Sequence, residues 1–297
     1  RMGIVGVRLA LPRPDRLIAW ILAHIGPEGV FRIKRHHIDV ESGPFLGHLV
    51  LQIDLHAIPD VHVQRQRARL QFAGLHPSTI LVDAPLSFPN PWNKTVWTPH
   101  NYDGAYLGPI PLRRAVEQSR NIPAVKTLQA VGVEKGIEYA RKLGLSGELP
   151  PFLPIALGAG EATLVEMVGA YATFANQGLR MKPFLIERIT DREGSVVEQA
   201  TPRASDALRA DTAFILTSLL RGVAERGTAA RVRRVNRPIA GKTGTTNDFT
   251  DAWFVGYEPS LAAGVWVGFD DKRLSLGRGE TGADAALPIW MEFWAAA

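Results

Sequence analysis

The sequence predicts an α+β fold, with helices packed on a mostly antiparallel sheet. Two observations predict it. Helical patterning fills the middle of the chain, from about residue 111 to residue 224, and strand-like runs follow at 239–245, 252–257 and 261–269. Helices gathered before strands describe segregated layers rather than an alternating β-α-β order. No internal repeat or low-complexity segment disturbs that order.

The elements are read in order. Residues 1–70 show little periodicity: 18–25 suits a short helix or a buried strand, 45–58 has patchy β character, and Gln64 to Arg69 reads as a solvated helix face. Asn90 to Gly108 is rich in Pro, Asn, Gly and aromatic residues, the composition of a long ordered loop. A helix over Pro111–Gln118 ends near Ser119, and 124–131 continues helically after Pro123. A third helix over Glu134–Leu143 is stopped by Gly144. Over Thr163–Ala175 the residues Leu164, Met167, Val168, Tyr171 and Phe174 share one helical face, with Gly178 read as the cap. Asp191-Arg192-Glu193-Gly194 between two strand-like runs is a hairpin pattern. Leu208 to Ala224 is a helix closed by Gly227, and Ala285–Trp294 a terminal one.

Composition narrows the class. The 297 residues are 46% hydrophobic and 21% charged, as in an ordinary globular protein. Cysteine is absent, which excludes disulfides and thiolate metal sites. Residues 1–70 hold ten Lys/Arg against six Asp/Glu, and seven of the eight histidines lie at or before His76. The chain therefore has two compositional parts. The longest apolar run near the N-terminus, Leu17 to Ile25, falls well short of the roughly 20 residues a membrane-spanning helix needs. No signal-peptide pattern is visible at the Arg-Met start.

Chemistry is suggested first by Lys242-Thr243-Gly244-Thr245-Thr246, which runs into the apolar strand 252–257. Gly241 and Gly244 read as bare backbone where a ligand could approach. Thr243, Thr245 and Thr246 place hydroxyls along the same edge. Such an edge can pair with an extended peptide while Lys242 attracts a carboxylate. Ser119-Arg120-Asn121 stands 123 residues earlier, directly after a helix and before Pro123; by itself such a Ser and Asn at a helix end usually form a cap.

Other patterns are set aside. A phosphate-binding loop around Gly241-Lys242-Thr243 would need glycine where Asn236 stands. Gly158-Ala159-Gly160-Glu161 has Thr163 in place of the third glycine of a dinucleotide fingerprint and reads as a turn into a helix. The histidines have no metal-binding spacing, so neither metal nor cofactor is expected. The arginines of 65–69 read as solvated, and no nucleic-acid partner is expected.

Taken together, residues from about Gly74 onward resemble the transpeptidase domain of class A (bifunctional) penicillin-binding proteins. The resemblance rests on Pro77 to Pro85, Trp97 to Tyr102, Ser119 to Ala124, Ala156-Leu157-Gly158, Ala170 to Gly178, Arg226 to Ala229 and Ala240 to Thr246. It implies a penicillin-binding protein/serine β-lactamase-like fold and a serine-type D,D-transpeptidase that cross-links peptidoglycan. β-Lactams would mimic the stem-peptide substrate, and the location would be periplasmic or otherwise extracytoplasmic. By the same resemblance Ser119 would relay protons or hold the lysine of the nucleophile motif, and Asn121 would hold a substrate amide. Lys242, Thr243, Gly244 and Thr245 would grip the terminal carboxylate, with the Thr245 N–H as half of an oxyanion hole. A β-lactamase is disfavoured because 77–102 and 156–178 resemble the synthetic enzymes.

One motif of that family is missing. Its nucleophile stands in Ser-x-x-Lys, a short helix before the segment that here reads Pro77 to Pro85. Residues 60–72, in that place, contain neither serine nor lysine, and no serine in the chain has lysine at +3. Residues 1–73 thus read as a segment of unclear origin, frameshifted or misjoined, and 74–297 as a partial transpeptidase domain without its N-terminal catalytic helix. A non-catalytic relative, or an unrecognised nucleophile such as Ser78, are the other readings. Losing such a serine costs on the order of 10⁶ in turnover, so the expectation is near-inactivity, with a non-catalytic stem-peptide or cell-wall partner-binding module as the alternative.

Overall fold

The computed structural model describes residues 74–89, 95–271 and 273–296, together with the paths of five strands before them. Those strands are β1 (Gly6–Leu9), β2 (Ile21–His24), β3 (Val30–Lys34), β4 (His37–Glu41) and β5 (His48–Asp54). Next come β6 (Ile80–Asp83), the two-residue β7 (Phe88–Pro89) and β8 (Val96–Trp97), and β9 (Gly108–Pro111). The helical part holds α1 (Leu112–Glu117), α2 (Asn121–Val131), α3 (Val133–Leu143) and α4 (Leu164–Ala175). Short strands β10 (Leu179–Met181), β11 (Arg188–Thr190), β12 (Val196–Gln199) and β13 (Ala204–Asp206) lead into α5 (Ala210–Arg226). The chain ends with β14 (Ala240–Thr245), β15 (Asp251–Glu258), β16 (Leu261–Gly268) and α6 (Leu287–Ala296).

The main sheet has the order β14-β15-β16-β5-β1-β2-β3-β4, with β14 at one edge. Its pairings are antiparallel except β1 with β5. The sheet is the middle layer of the molecule. On β15 and β16, Phe254, Ala263 and Val265 face a cluster with Val223, Leu287 and Trp290. Val255, Tyr257 and Ala262 face the other way, toward Leu164, Val168 and Ala172 of α4. Alternate residues point to opposite faces of a strand, so burying both faces requires the near-continuous apolar runs that mark these strands in the sequence. Helix α4 lies so close that a Cβ at Gly264 would stand 2.5 Å from the Val168 side chain. On the opposite face, Trp290 Nε1 donates to the Ala263 carbonyl at 2.9 Å, which satisfies a polar group inside the core.

Helix α4 starts at a capping box: Thr163 Oγ1 accepts from Glu166 N while the Glu166 carboxylate accepts from Thr163 N. Gly144 closes α3 in the left-handed region, and β11 with β12 form the expected hairpin. Gly158 ends a 3-10 turn over Leu153–Leu157 rather than a nucleotide loop. The expected strands and helices recur within a few residues.

Several expectations are corrected. Helix α4 is closed by Asn176, not Gly178; Gly178 has φ 94° and is pressed against Leu208, where a Cβ would meet the carbonyl oxygen at 2.2 Å. Leu208 precedes α5, so the buried face of that helix is carried by Thr212, Ala213, Leu219, Leu220, Val223 and Ala224. The terminal helix is entered through a π turn over Gly282–Ala286. Of the two readings held open for 18–25, a short helix or a strand, strand β2 bears out the strand, while the expected face at 64–69 lies outside the described residues.

Candidate functional site

Edge strand β14 faces the turn between α1 and α2. Lys242 Nζ donates to Ser119 Oγ at 2.6 Å and to the Thr243 carbonyl at 3.0 Å. The structure thus brings together the two motifs that the sequence keeps 123 residues apart. Thr228, just past α5, joins the same wall, its Oγ1 lying 2.7 Å from Thr243 Oγ1. Thr245 Oγ1 accepts from Gly282 N at 3.0 Å, so this hydroxyl retains its proton for donation.

The α1–α2 turn explains how Ser119 reaches Lys242. Ser119 N donates to the Val116 carbonyl and Arg120 N to the Ala115 carbonyl, with Ser119 at φ 52°. This is the Schellman arrangement, whose left-handed position is usually glycine. A serine there holds a sparsely populated backbone conformation, a form of strain that concentrates at functional sites. Helix α2 then begins without a side-chain cap of its own. Asn101 supplies one from the preceding loop: its Oδ1 accepts from Asn121 N at 2.9 Å and from Ile122 N at 3.3 Å. Asn121 Nδ2 donates to the His100 carbonyl at 2.7 Å. Its amide is therefore engaged with the loop in this structure.

Beneath the turn lies a buried ionic group. Asp83 is fully buried at the end of β6 and accepts from Asn101 Nδ2 at 2.7 Å and from Arg120 Nε at 2.9 Å. Arg120 also reaches Asp103 at 2.7 Å and the Ala105 carbonyl. The hydrogen bond from Arg120 holds the Asp103 carboxyl below its usual range. Burial disfavours the Arg120 cation, but Asp103 and Asp83 outweigh it and raise its pKa.

The site opens into a cavity of about 1300 Å³. Its lining includes polar Ser119, Asn121, Thr228, Lys242, Thr243 and Thr245 together with apolar Leu128, Val131, Leu157, Phe174 and Leu216. Burial of the Lys242 ammonium pushes its pKa down to about 8. A lysine so poised, touching a hydroxyl, can pass protons near neutral pH. Among the described residues, no group of three or more His, Asp or Glu could hold a metal ion. No described helix is long and apolar enough to cross a membrane.

One motif glycine serves a different purpose from the one expected. A Cβ at Gly241 would lie 2.8 Å from the Phe254 ring and 2.8 Å from the Val255 carbonyl, so neighbouring strand β15 requires this glycine. At Gly244 the nearest contact would be Trp253 Cβ at 3.2 Å, again on β15. Sequence reasoning also missed Thr228, Asp83 and Arg120. Asp83 left a usable trace, an acid at the end of the apolar run 80–82. Arg120, as the middle residue of Ser-x-Asn, left none. Residues 60–72, the place where the serine motif was sought, lie outside the described residues.

Comparison with known proteins adds the following. A family model described as the penicillin binding protein transpeptidase domain matches residues 87–271. Penicillin-binding protein 1A of Aquifex aeolicus is 43% identical over 197 residues, covering 66% of this chain and 27% of that protein. Penicillin-binding protein 1A of Neisseria meningitidis is 41% identical over 228 residues, covering 74% of this chain and 28% of that protein. The chain thus spans under a third of the length of these curated relatives. The crystal structure of penicillin-binding protein 1A from Haemophilus influenzae superposes with a TM-score of 0.72 at 30% identity, over 77% of this chain and 40% of that one. PonA1 of Mycobacterium tuberculosis, solved in complex with penicillin V, shares the fold with a TM-score of 0.68 at 22% identity, over 85% of this chain and 78% of that one.

Proposed function

The chain belongs to the penicillin-binding protein transpeptidase domain family, and on that premise we propose that its β14 edge grips the D-Ala-D-Ala end of a peptidoglycan stem peptide, and β-lactams that imitate it. The observation that carries this reading is the contact between Lys242 Nζ and Ser119 Oγ at the free edge of the sheet. An extended peptide laid along β14 would gain main-chain hydrogen bonds from an edge strand that has no strand partner on that side among the described residues. Lys242 and the hydroxyls of Thr243 and Thr245 would hold its carboxylate. Asn121 would exchange its bond to the His100 carbonyl for one to a substrate amide, and Ser119 would pass protons between Lys242 and the reacting centre. The Thr245 N–H would serve as half of an oxyanion hole.

Among the described residues, this constellation shows no Ser-x-x-Lys attacking group. Acyl transfer needs a hydroxyl activated by a neighbouring base, and Ser-x-x-Lys is absent from the 297 residues. The proposed function is therefore recognition of the cross-linking substrate in a cell-envelope compartment, with acyl transfer reduced to a residual rate. The boundary near residue 73 is proposed as one of sequence origin, since β5 pairs with β16 across it from His48–Val267 to Asp54–Leu261.

Titration with an acetylated L-Lys-D-Ala-D-Ala peptide, followed by NMR, tests the grip. Saturable binding that Lys242→Ala abolishes and Lys142→Ala leaves intact is the expected result. Binding indifferent to Lys242, or no binding to folded protein, would overturn the reading.

A further inference from the structure

Ser119 holds a strained backbone conformation, and the residues on either side of it are tied by charge to distant parts of the chain. Two positions before it, Glu117 is buried and its Oε1 accepts from Arg226 Nη2 at 2.6 Å, at the end of α5. The Glu117 carbonyl also accepts from Thr228 N at 3.1 Å, which sets Thr228 against Thr243. Contact here is close enough to demand glycine twice. A Cβ at Gly222 would stand 2.2 Å from Glu117 Oε1, and one at Gly227 would stand 2.1 Å from the Glu117 carbonyl. One position after Ser119, Arg120 is clamped to Asp83 and Asp103.

We infer that the pairs Glu117–Arg226 and Asp83–Arg120 are positioning residues that together hold Ser119 in its left-handed conformation, with its hydroxyl against Lys242. Neither pair touches the β14 edge; both act through the backbone of the turn. The Schellman turn alone would not select serine at this position, because a residue with a Cβ is disfavoured there. An anchor on each side makes the conformation over-determined, which is the condition under which such strain persists. Asn101 links the two functions, since it binds Asp83 through its amide and caps α2 through its carbonyl oxygen. The same acid–arginine pair thus orients Ser119 and the start of the helix that carries Asn121. The inference rests on the proposed role of Ser119, but it concerns where the hydroxyl is held, so a negative result with penicillin or peptide leaves it standing.

The test uses the full chain labelled with ¹³C-serine and ¹⁵N-lysine, observed by NMR at pH 6 beside thermal unfolding. Asp83→Asn, Arg120→Lys and Arg226→Ala are compared with Glu138→Gln, which breaks the exposed pairs of Glu138 with Lys135 and Lys142 on α3. The expected result is that Asp83→Asn and Arg226→Ala move the Ser119 Cα and Cβ shifts. In both, hydrogen exchange of the Lys242 ammonium should quicken at least tenfold. Arg120→Lys should recover part of each signal, and Glu138→Gln should change neither. A lower unfolding temperature with Ser119 and Lys242 signals at wild-type positions would overturn the inference and leave the pairs a purely stabilising role. Should one buried-pair variant fail to fold, Arg226→Ala decides the matter, because Arg226 is half exposed.

Discussion

Lys242 and Ser119 meet at 2.6 Å although 123 residues separate them in the chain. The contact joins the edge of the sheet to a helix-terminal turn, and it is made by a lysine whose pKa burial has lowered to about 8.

That lowered value fixes a pH dependence. The folded pKa lies below the ordinary 10.5, so between about pH 8 and 10.5 the unfolded chain binds more protons than the folded one. Stability therefore rises with pH across that window. The penalty is fully present below about 8 and gone above 10.5. It amounts to up to about 3 kcal/mol, less to the extent that water in the cavity screens the ammonium. Lys242→Met should be more stable than the parent in urea at pH 7, after about 1 kcal/mol for the lost hydrogen bond is allowed for. The gain should vanish above pH 10.5, and a variant less stable at pH 7 would contradict the burial.

Removing Arg120 strands a buried carboxylate. Arg120→Ala should cost about 3–5 kcal/mol, because Asp83 is fully buried beside the lost cation. The double variant Arg120→Ala/Asp83→Ala should cost less than the sum of the two single changes. Equilibrium denaturation of the four proteins measures this, and additivity would refute the coupling.

Glu166 gives the same pH sign, but as a stabilising contribution gained with rising pH rather than a penalty removed. Burial works against its carboxylate, but hydrogen bonds from Ser146 and Thr163 outweigh it and lower the pKa to about 2. Its contribution is present above the ordinary 4.5 and lost as pH falls through 4.5 toward 2, at most about 3 kcal/mol when complete and less because solvent screens the carboxylate. Glu166→Gln should remove that part of the acid sensitivity, read as a shallower fall of unfolding temperature between pH 5 and 2. Thr163→Ala, on the same cap, should cost about 1 kcal/mol at neutral pH.

Gly241 separates packing from recognition. Gly241→Ala drives a methyl into Phe254 and the Val255 carbonyl, and should cost about 1–3 kcal/mol in stability. A variant as stable as the parent but weakened in peptide binding would restore the reading of Gly241 as open backbone for a ligand.

The legible parts of the sequence were those with strong periodicity or punctuation. Strands β15 and β16 showed as apolar runs because both their faces are buried, and α3 showed because Gly144 stops it. The candidate site was legible where one short motif carries several of its lining residues, as in Lys242 to Thr245. What stayed hidden depends on tertiary partners. Arg120 looks like any surface arginine until Asp83 and Asp103 close on it, and Thr228 gains meaning only when Glu117 draws it to β14. Gly178 was misread as a helix cap because periodicity cannot show that Leu208 will press against it.

The most direct test of the central claim is the intact mass of the purified, folded chain after incubation with benzylpenicillin. The account predicts an unchanged mass, because it places no activated serine beside the proposed substrate-gripping edge. A covalent adduct mapped to one serine, Ser78 for example, would contradict it and identify a nucleophile that the Ser-x-x-Lys pattern does not describe.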